Sequence, residues 1–342
     1  MNKIHIILNN KIFTAFLSAF LFVFPVHLLF IFIKNLLYDV GAIQPAKINA
    51  KIISVGNVLL GGTGKTPTTI AIANFLQKKG FKVGIVTRGH GRKNESKNFL
   101  LQNHHWTECG DEIVLLKNNL STGIPIYISR NKIFAARELS KNGCNVILLD
   151  DGFQHRKIYR DIDIVLLGPE NYVKKNQFIY PYGLLREPFC YIKRADITIS
   201  TKRNLVTNDL ALHSDHILNL EVKKELLTTA PIKTIQDLSQ TSGILSLCSI
   251  GDPKSFDKTI KNIGIKTDKK LVFPDHWPFS EKDIDEINQV STKHELQSIL
   301  CTEKDYVKLF EFSDLLKTDL YAVVLKHNLN QDIEADILSR LS

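Results

Sequence analysis

Ile52-Ile53-Ser54-Val55-Gly56-Asn57-Val58-Leu59-Leu60-Gly61-Gly62-Thr63-Gly64-Lys65-Thr66-Pro67 is the stretch on which the fold turns. A short apolar run reads as a strand, three closely spaced glycines read as a loop, and a helix is expected from Thr66, with Pro67 in its first turn and Gly80 just past its end. Glycines let backbone N–H groups turn toward phosphate oxygens, and a helix N-terminus adds positive potential. Lys65 is placed to reach the β- and γ-phosphates and the Thr66 hydroxyl to ligate Mg²⁺. The strict G-x-x-x-x-G-K-T spacing wants glycine where Leu59 stands, so this is the compressed G-G-x-G-K-T form, carried by Gly61, Gly62, Thr63, Gly64, Lys65 and Thr66. A chance Lys-Thr after a glycine-rich turn would lack the strand before it and the helix after it.

Working outward, short β-rich runs alternate with helical stretches at Ile52–Val55, Lys82–Thr87, Ile124–Ile128, Val146–Leu149 and Ile162–Leu167. Near-continuous apolar strands separated by helices indicate a parallel sheet covered on both faces. A polar, weakly patterned region from Thr201 to Thr241 interrupts, and a second set follows at Ile244–Ile250, Ile299–Cys301 and Tyr321–Leu325. The expected architecture is α/β: an apolar N-terminal helix in residues 1–40, a P-loop NTPase-like parallel-sheet domain in 41–225, and a smaller α/β domain in 226–342 that completes the cleft.

Four apolar residues, Val146 to Leu149, run into Asp150-Asp151-Gly152-Phe153-Gln154-His155. A strand ending in carboxylates downstream of a P-loop resembles a Walker-B end, where a carboxylate holds Mg²⁺ or its water. Phosphoryl transfer to an alcohol also needs a group to take the hydroxyl proton. Asp111 and Glu112 open an amphipathic stretch, where acidic residues also simply suit a helix N-terminus. Arg186 and Glu187 precede the helix-breaking Pro188, and His276 sits in the aromatic loop Phe273-Pro274-Asp275-His276-Trp277. The residue chemistry leaves catalytic and structural roles open for all of these.

The 342 residues are 44% hydrophobic and 23% charged, near the globular average, which excludes collagen-like, disordered and coiled-coil classes. A chain of this length is more than one core usually holds. A mean hydropathy of −0.04 excludes a polytopic membrane protein. Five cysteines without a C-x-x-C pair argue for a reduced compartment rather than a disulfide framework. The net charge of +9 favours anionic partners without choosing among nucleotide, phospholipid and nucleic acid. Ile12 to Ile33 is an apolar run without Asp, Glu, Lys or Arg, flanked by Lys3, Lys11 and Lys34. At ~1.5 Å per residue it reaches across the ~30 Å bilayer core. A span with a cytosolic body would send Lys3 and Lys11 to the far side, against the positive-inside tendency, so a helix lying in the cytoplasmic interface is preferred and a single N-terminal span is the alternative.

Taken together, Val55-Gly56-Asn57, Gly61 to Pro67, Thr87-Arg88-Gly89, Gly110-Asp111-Glu112, Asp150 to His155, Leu185-Arg186-Glu187-Pro188, Pro274-Asp275-His276 and Thr302-Glu303-Lys304-Asp305 resemble the tetraacyldisaccharide 4'-kinases of lipid A synthesis. The resemblance runs from the apolar amino terminus to about Lys326. It implies ATP and Mg²⁺ as cofactors and transfer of the γ-phosphate to the 4'-hydroxyl of a tetraacylated glucosamine disaccharide 1-phosphate. It further implies Asp111 as the catalytic carboxylate with His276 as its partner, Lys65 and Thr66 on phosphates and metal, and Asp150, Asp151 and Glu187 as metal-site or supporting carboxylates. Asn57, Arg88, Glu112, Gln154, His155 and Arg186 would line the same cleft. The implied partners are a lipid A disaccharide precursor and the cytoplasmic surface of the inner membrane, with no nucleic acid and no obligate protein partner. One departure is visible, since Arg88-Gly89-His90 stands where the family commonly shows Arg-Gly-Tyr. The competing reading is a membrane-associated G-G-x-G-K-T ATPase switch, whose usual extra lysine at the loop start is here Leu60.

Overall fold

The structure is a computed structural model describing residues 26, 28–60, 63–89, 92, 97–102, 105–168, 178–180, 182–201 and 214–342. It divides into two units, Met1–Lys47 and Ile48–Ser342. In the first, α1 covers residues 28–39 and ends where the backbone reverses at Gly41 (φ +74°). Ile43 N–H reaches back to the Leu37 carbonyl at 3.0 Å, closing the helix end much as a glycine cap does. Val26, Leu29, Phe30 and Phe32 are exposed, Phe30 at 65%. Among the described residues no helix is long and apolar enough to cross a membrane. Most of the apolar run, residues 12–25 and 27, lies outside the described residues, and so do Gly61, Gly62 and His90.

The second unit begins with β1 (Lys51–Asn57), α2 (Lys65–Lys78), β2 (Val83–Thr87), β3 (Phe99–Leu100), α3 (Trp106–Cys109), α4 (Asp111–Asn119), β4 (Ile126–Ile128), α5 (Lys132–Lys141), β5 (Val146–Asp150), β6 (Ile162–Leu167), β7 (Ile197–Thr201) and β8 (His216–Leu218). They form one sheet in the order β3-β4-β2-β5-β1-β6-β7-β8. All its pairings are parallel except β3 with β4. Alternate side chains of each strand serve opposite faces. Ile53 and Val55 pack with Ile72, Leu76 and Ile113 from α2 and α4, whereas Ile52 packs with Ala135, Ala136 and Leu139 from α5. Each such buried Val, Leu or Ile side chain contributes about 1.5–3 kcal/mol of apolar burial. Helix α2 stops as its sequence requires: Gly80 takes φ +90°, and the Phe81 N–H bonds the Leu76 carbonyl at 3.1 Å.

The chain then passes through β9 (Leu220–Val222) and α6 (Ile235–Leu238) into β10 (Ile244–Cys248), α7 (Pro253–Asn262), β11 (Lys269–Val272), α8 (Glu281–Lys293), β12 (Ser298–Thr302), α9 (Glu303–Leu309) and β13 (Asp319–Val323). A second, wholly parallel sheet runs β11-β10-β12-β13. Leu245, Leu247 and Ile299 face α8 and α9; Ile244, Cys248 and Leu300 face α6 and α7. The chain returns through β14 (Leu325–His327), which pairs antiparallel with β9, and ends in α10 (Gln331–Leu341). Ile333, Ile337 and Leu341 of α10 join the first core, so the end of the chain belongs with the first sheet.

Several strands do not follow from apolar runs. β7 (Ile-Thr-Ile-Ser-Thr) hides its strand character in alternation. β11 (Lys-Lys-Leu-Val) is an edge strand with exposed lysines. β8 lies within the stretch read as polar and weakly patterned.

Candidate active site

The site forms where strand ends and helix starts coincide. β1 and β5 are parallel neighbours with Val55 opposite Asp150, so the loop leaving β1 and the carboxylates leaving β5 emerge side by side. On the other side of β1, its connection runs toward β2 while that of β6 runs toward β7, and this divergence opens a crevice at the carboxyl ends of the strands. Asn57 Nδ2 donates to Thr63 Oγ1 at 2.8 Å and ties the loop's two ends together. Thr201 Oγ1 donates to the Thr63 carbonyl at 2.8 Å. Gly64 caps α2 in the left-handed region (φ +81°), and a Cβ there would lie 2.7 Å from His327 Cε1, so only glycine fits. His327 Nδ1 lies 2.8 Å from Thr68 Oγ1, which also donates to the Gly64 carbonyl. Lys65 and Thr66 thus open α2 at the mouth of the loop.

Asp150 and Asp151 do different things. Asp151 Oδ1 and Oδ2 each lie 2.7 Å from Arg186 Nη1, and Lys65 Nζ is 3.9 Å from Oδ1. Burial alone would raise this carboxyl, but Lys65 and Arg186 outweigh it and bring it down to about 2. Asp150 is buried; among the described residues its side chain receives only Thr87 Oγ1, at 3.2 Å on Oδ2, and Oδ1 has no hydrogen-bond partner. Burial, helped by Glu112 and Asp151, pushes it up to about 6. Beneath both, buried Lys132 donates to the Asp150 carbonyl at 2.5 Å and the Asp151 carbonyl at 2.7 Å. Asp151 sits at φ +49°, a position held against its own preference.

A group whose folded value lies above its unfolded one in this way costs stability once ionised. The penalty is absent below pH 3.8, develops through about 6 and is full above it. Asp150→Asn is therefore expected to melt several degrees higher than the parent at pH 8 without nucleotide, from roughly 3 kcal/mol of relieved penalty, and to match it near pH 4. Equal melting temperatures at both pH values would show that Asp150 carries no such strain.

Gly152 is pressed against Ser54 and Leu149, where a Cβ would stand 2.7 Å from Ser54 Oγ, and the His155 N–H closes the turn on the Gly152 carbonyl at 2.8 Å. Gln154 Nε2 spans from the Asn57 carbonyl (2.8 Å) to Glu187 Oε1 (3.1 Å). The Arg186 N–H bonds the Val58 carbonyl at 2.8 Å, which pins the Leu185–Pro188 loop to the start of the phosphate loop. Both oxygens of buried Glu187 lie 2.9 Å from Arg194 Nη2. The Arg194 guanidinium in turn stacks on Phe153 (4.7 Å) and Tyr191 (5.0 Å). That arrangement suits a supporting carboxylate rather than a direct metal ligand. Arg88 is exposed at the end of β2.

The acceptor-side residues also meet. Asp111 is the first residue of α4, after Gly110 at φ +98°, and its Oδ1 receives the Glu112 N–H at 2.8 Å. From the second sheet, 165 positions later in the chain, His276 Nδ1 lies 3.0 Å from Asp111 Oδ2 and 3.2 Å from Oδ1. His276 holds φ +56°, and apart from Glu295 it and Asp151 are the positive-φ non-glycine residues among those described. Burial would raise Asp111, but the His276 hydrogen bond and the charges of Lys304, His276 and Lys308 hold it below the usual carboxylate value. The same bond to Asp111 raises His276 against its own burial. Glu112 pairs with Lys304 and is within electrostatic range of both Asp150 and Lys65, so the start of α4 faces the phosphate loop. Burial lowers the Lys65 ammonium by more than Asp151 and Asp150 raise it.

Of the residues singled out in the sequence, Asn57, Thr63, Gly64, Lys65, Asp150, Asp151, Gln154, Arg186 and Glu187 form one connected cluster, and Asp111, Glu112 and His276 a second one facing it. Lys132, Arg194, His327 and Lys308 were invisible in the sequence because each is a lone polar residue in an ordinary stretch. The one available signal was the Asp305–Lys308 spacing on α9, which puts opposite charges on one helix face.

Comparison with known proteins identifies the family. The family model described as Tetraacyldisaccharide-1-P 4'-kinase matches residues 17–342. The chain is 29% identical over 328 residues to the tetraacyldisaccharide 4'-kinase of Elusimicrobium minutum, covering 90% of this chain and 86% of that protein. It is 31% identical to that of Syntrophus aciditrophicus, covering 81% and 80%. Among solved structures it is similar to LpxK from Aquifex aeolicus in complex with ATP, with a TM-score of 0.74 and 27% identity over 95% of this chain and 99% of that one.

Proposed function

The chain belongs to the tetraacyldisaccharide-1-P 4'-kinase family, and from that premise we infer that it transfers the γ-phosphate of ATP to the 4'-hydroxyl of a tetraacylated glucosamine disaccharide 1-phosphate in lipid A biosynthesis. The observation that carries the reading is the Asp111–His276 contact, made between the two sheets and facing the phosphate loop. In the transfer, the 4'-oxygen bonds the γ-phosphorus as the bond from that phosphorus to the β–γ bridging oxygen breaks. ADP leaves, and the hydroxyl proton ends on the Asp111–His276 pair, late in the step if the transition state is loose. Lys65 and the backbone of the loop hold the triphosphate, and closure of the two sheets on each other excludes water as a competing acceptor.

Mg²⁺ fits this site. The orphaned, buried Asp150 Oδ1 is an oxygen that a hard cation would satisfy. Thr66 and Asp150 would hold the ion, with Asp151 kept in place by Arg186 and Lys65. When bound, the ion supplies charge neutralisation on the phosphates. Among the described residues no group of three or more His, Cys, Asp or Glu side chains forms a protein-only metal cage, and a phosphate-shared Mg²⁺ does not need one.

The test uses γ-labelled ATP with lipid A disaccharide, water or a soluble sugar as acceptor. Label entering the lipid alone is the expected result. Phosphate release stimulated by membranes without labelled lipid would overturn the kinase reading in favour of the ATPase switch.

We further place the reaction at the cytoplasmic surface of the inner membrane. An acceptor with four acyl chains stays in a bilayer, and the exposed apolar side chains of α1 suit such a surface. A chain lacking residues 1–35 is expected to stay in the supernatant when phospholipid vesicles are sedimented, with ATP affinity unchanged. Undiminished vesicle binding would remove this segment from membrane attachment.

A further inference from the structure

Behind the Asp111–His276 contact lies a charged network that the proposed reaction does not yet use. Lys308, on α9, is 1% exposed. Its ammonium donates to Ser249 Oγ at 2.8 Å and lies 3.1 Å from Asp305 Oδ1 and 3.8 Å from Asp111 Oδ2, above the Phe279 ring at 5.3 Å. Asp305 is fully buried. It accepts from the Ser249 N–H (2.9 Å), the Ser249 hydroxyl and the Thr302 hydroxyl (2.7 Å). The Ser249 carbonyl receives the His276 N–H at 3.2 Å. One buried cation therefore touches the carboxylate from one sheet and, through Ser249, holds the backbone of the histidine from the other.

We propose that Lys308 is a positioning residue for phosphoryl transfer: through the Lys308–Asp305–Ser249 network it fixes the Asp111 carboxylate and the His276 ring in register with each other. The proposal rests on the reading that Asp111 and His276 take the hydroxyl proton.

Three features support it. A buried ion pair is a weak source of stability, because desolvation offsets most of its attraction, so its placement against the reacting carboxylate asks for another reason. His276 occupies the left-handed region and needs an external restraint; the Ser249 carbonyl, itself fixed by Asp305, provides one. Finally, the charged groups facing Asp111 are mostly cationic: His276 from its loop, Lys304 and Lys308 from α9, with Glu112 beside it on α4 neutralised by Lys304 and Asp275 reaching only the far side of the His276 ring. Among the described residues, Lys308 is the one of these cations that is both buried and linked, through Ser249, to the backbone of His276.

The experiment is a double-mutant cycle between Lys308→Met and Asp111→Asn in the full chain, with kcat and KM measured for both substrates across pH. Lys308→Met is expected to lower kcat about 10–100-fold, to leave KM for ATP within about twofold, and to move the acid limb of the rate profile upward by about one pH unit. In the Asp111→Asn background it should cost almost nothing further, since it acts through that carboxylate. An unchanged acid limb, rate losses that multiply in the double variant, or an ATP KM that worsens in step with kcat would each overturn the proposal. Should Lys308→Met not fold, Lys308→Met/Asp305→Asn leaves no unpaired buried charge and carries the same expectations and the same refutations. The two readings separate cleanly. Near-normal turnover by Asp111→Asn alone defeats the assignment of Asp111, whereas a slow Asp111→Asn beside an unaffected Lys308→Met defeats only the role of Lys308.

Discussion

Asp111→Ala lowers kcat by about 10²–10⁴-fold while ATP binding stays close to the parent value, the size of effect that loss of a positioned proton acceptor produces. Asp111 touches the His276 ring, while its neighbour Glu112 is the one within electrostatic range of Lys65, so loss of Asp111 is expected to fall on the chemical step. The substitution has a second, independent signature. His276 is raised chiefly by its bond to Asp111, so in the variant its ring titrates lower, which proton NMR of the imidazole follows directly. A raised histidine stabilises the fold fully below its unfolded value of 6.5, and that contribution is lost as the pH rises through the folded value. The variant should therefore lose stability mainly at pH between the lowered Asp111 value, below which the carboxyl is protonated, and the raised His276 value, above which the ring is neutral. Turnover near the parent rate, or an unmoved His276 titration, would sever the link between the two residues.

Lys65→Met is expected to reduce kcat/KM for ATP by about 10³-fold, equivalent to roughly 4 kcal/mol of lost transition-state stabilisation. Lys65 opens α2 where backbone N–H groups and the helix dipole already favour anions. In so buried a place its charge acts at low dielectric, which is why one lysine carries so large a share. Burial also lowers Lys65 relative to solvent, so the nucleotide-free variant should melt no lower than the parent. Kinetics and a thermal melt on the same preparation check both statements. A variant that keeps its ATP affinity and rate would mean that the phosphates sit elsewhere.

The difference between what the chain announced and what it concealed is one of range. The phosphate loop was legible because strand, glycines and helix start are contiguous, and Asp150-Asp151 because an apolar strand ran straight into them. Asp111 was ambiguous for a sound reason: it is a favourable acidic residue at a helix N-terminus and also faces His276, and the second fact depends on a partner 165 positions away. Lys132 follows no spacing that chemistry demands, and Lys308 only its i,i+3 spacing from Asp305; the carbonyls and the hydroxyl they bond are brought near by folding alone. The pairing of Asp150 with Asp151 suggested equal roles, yet Arg186 and Lys65 take up one and burial leaves the other exposed to a cation's pull. On the strand side, long apolar runs gave themselves away, whereas alternation in β7 and lysines on the edge strand β11 did not.

The ribbon of β9 and β14 adds a mechanical consequence. The polypeptide enters and leaves the second sheet along two adjacent, hydrogen-bonded strands, with Val222 beside Leu325 and Leu220 beside His327. Two side-by-side tethers resist twisting and admit bending about a single line, like a book's spine. The last residue of the returning tether, His327, rests on Gly64 and Thr68. The returning tether therefore bears directly on the first turn of α2.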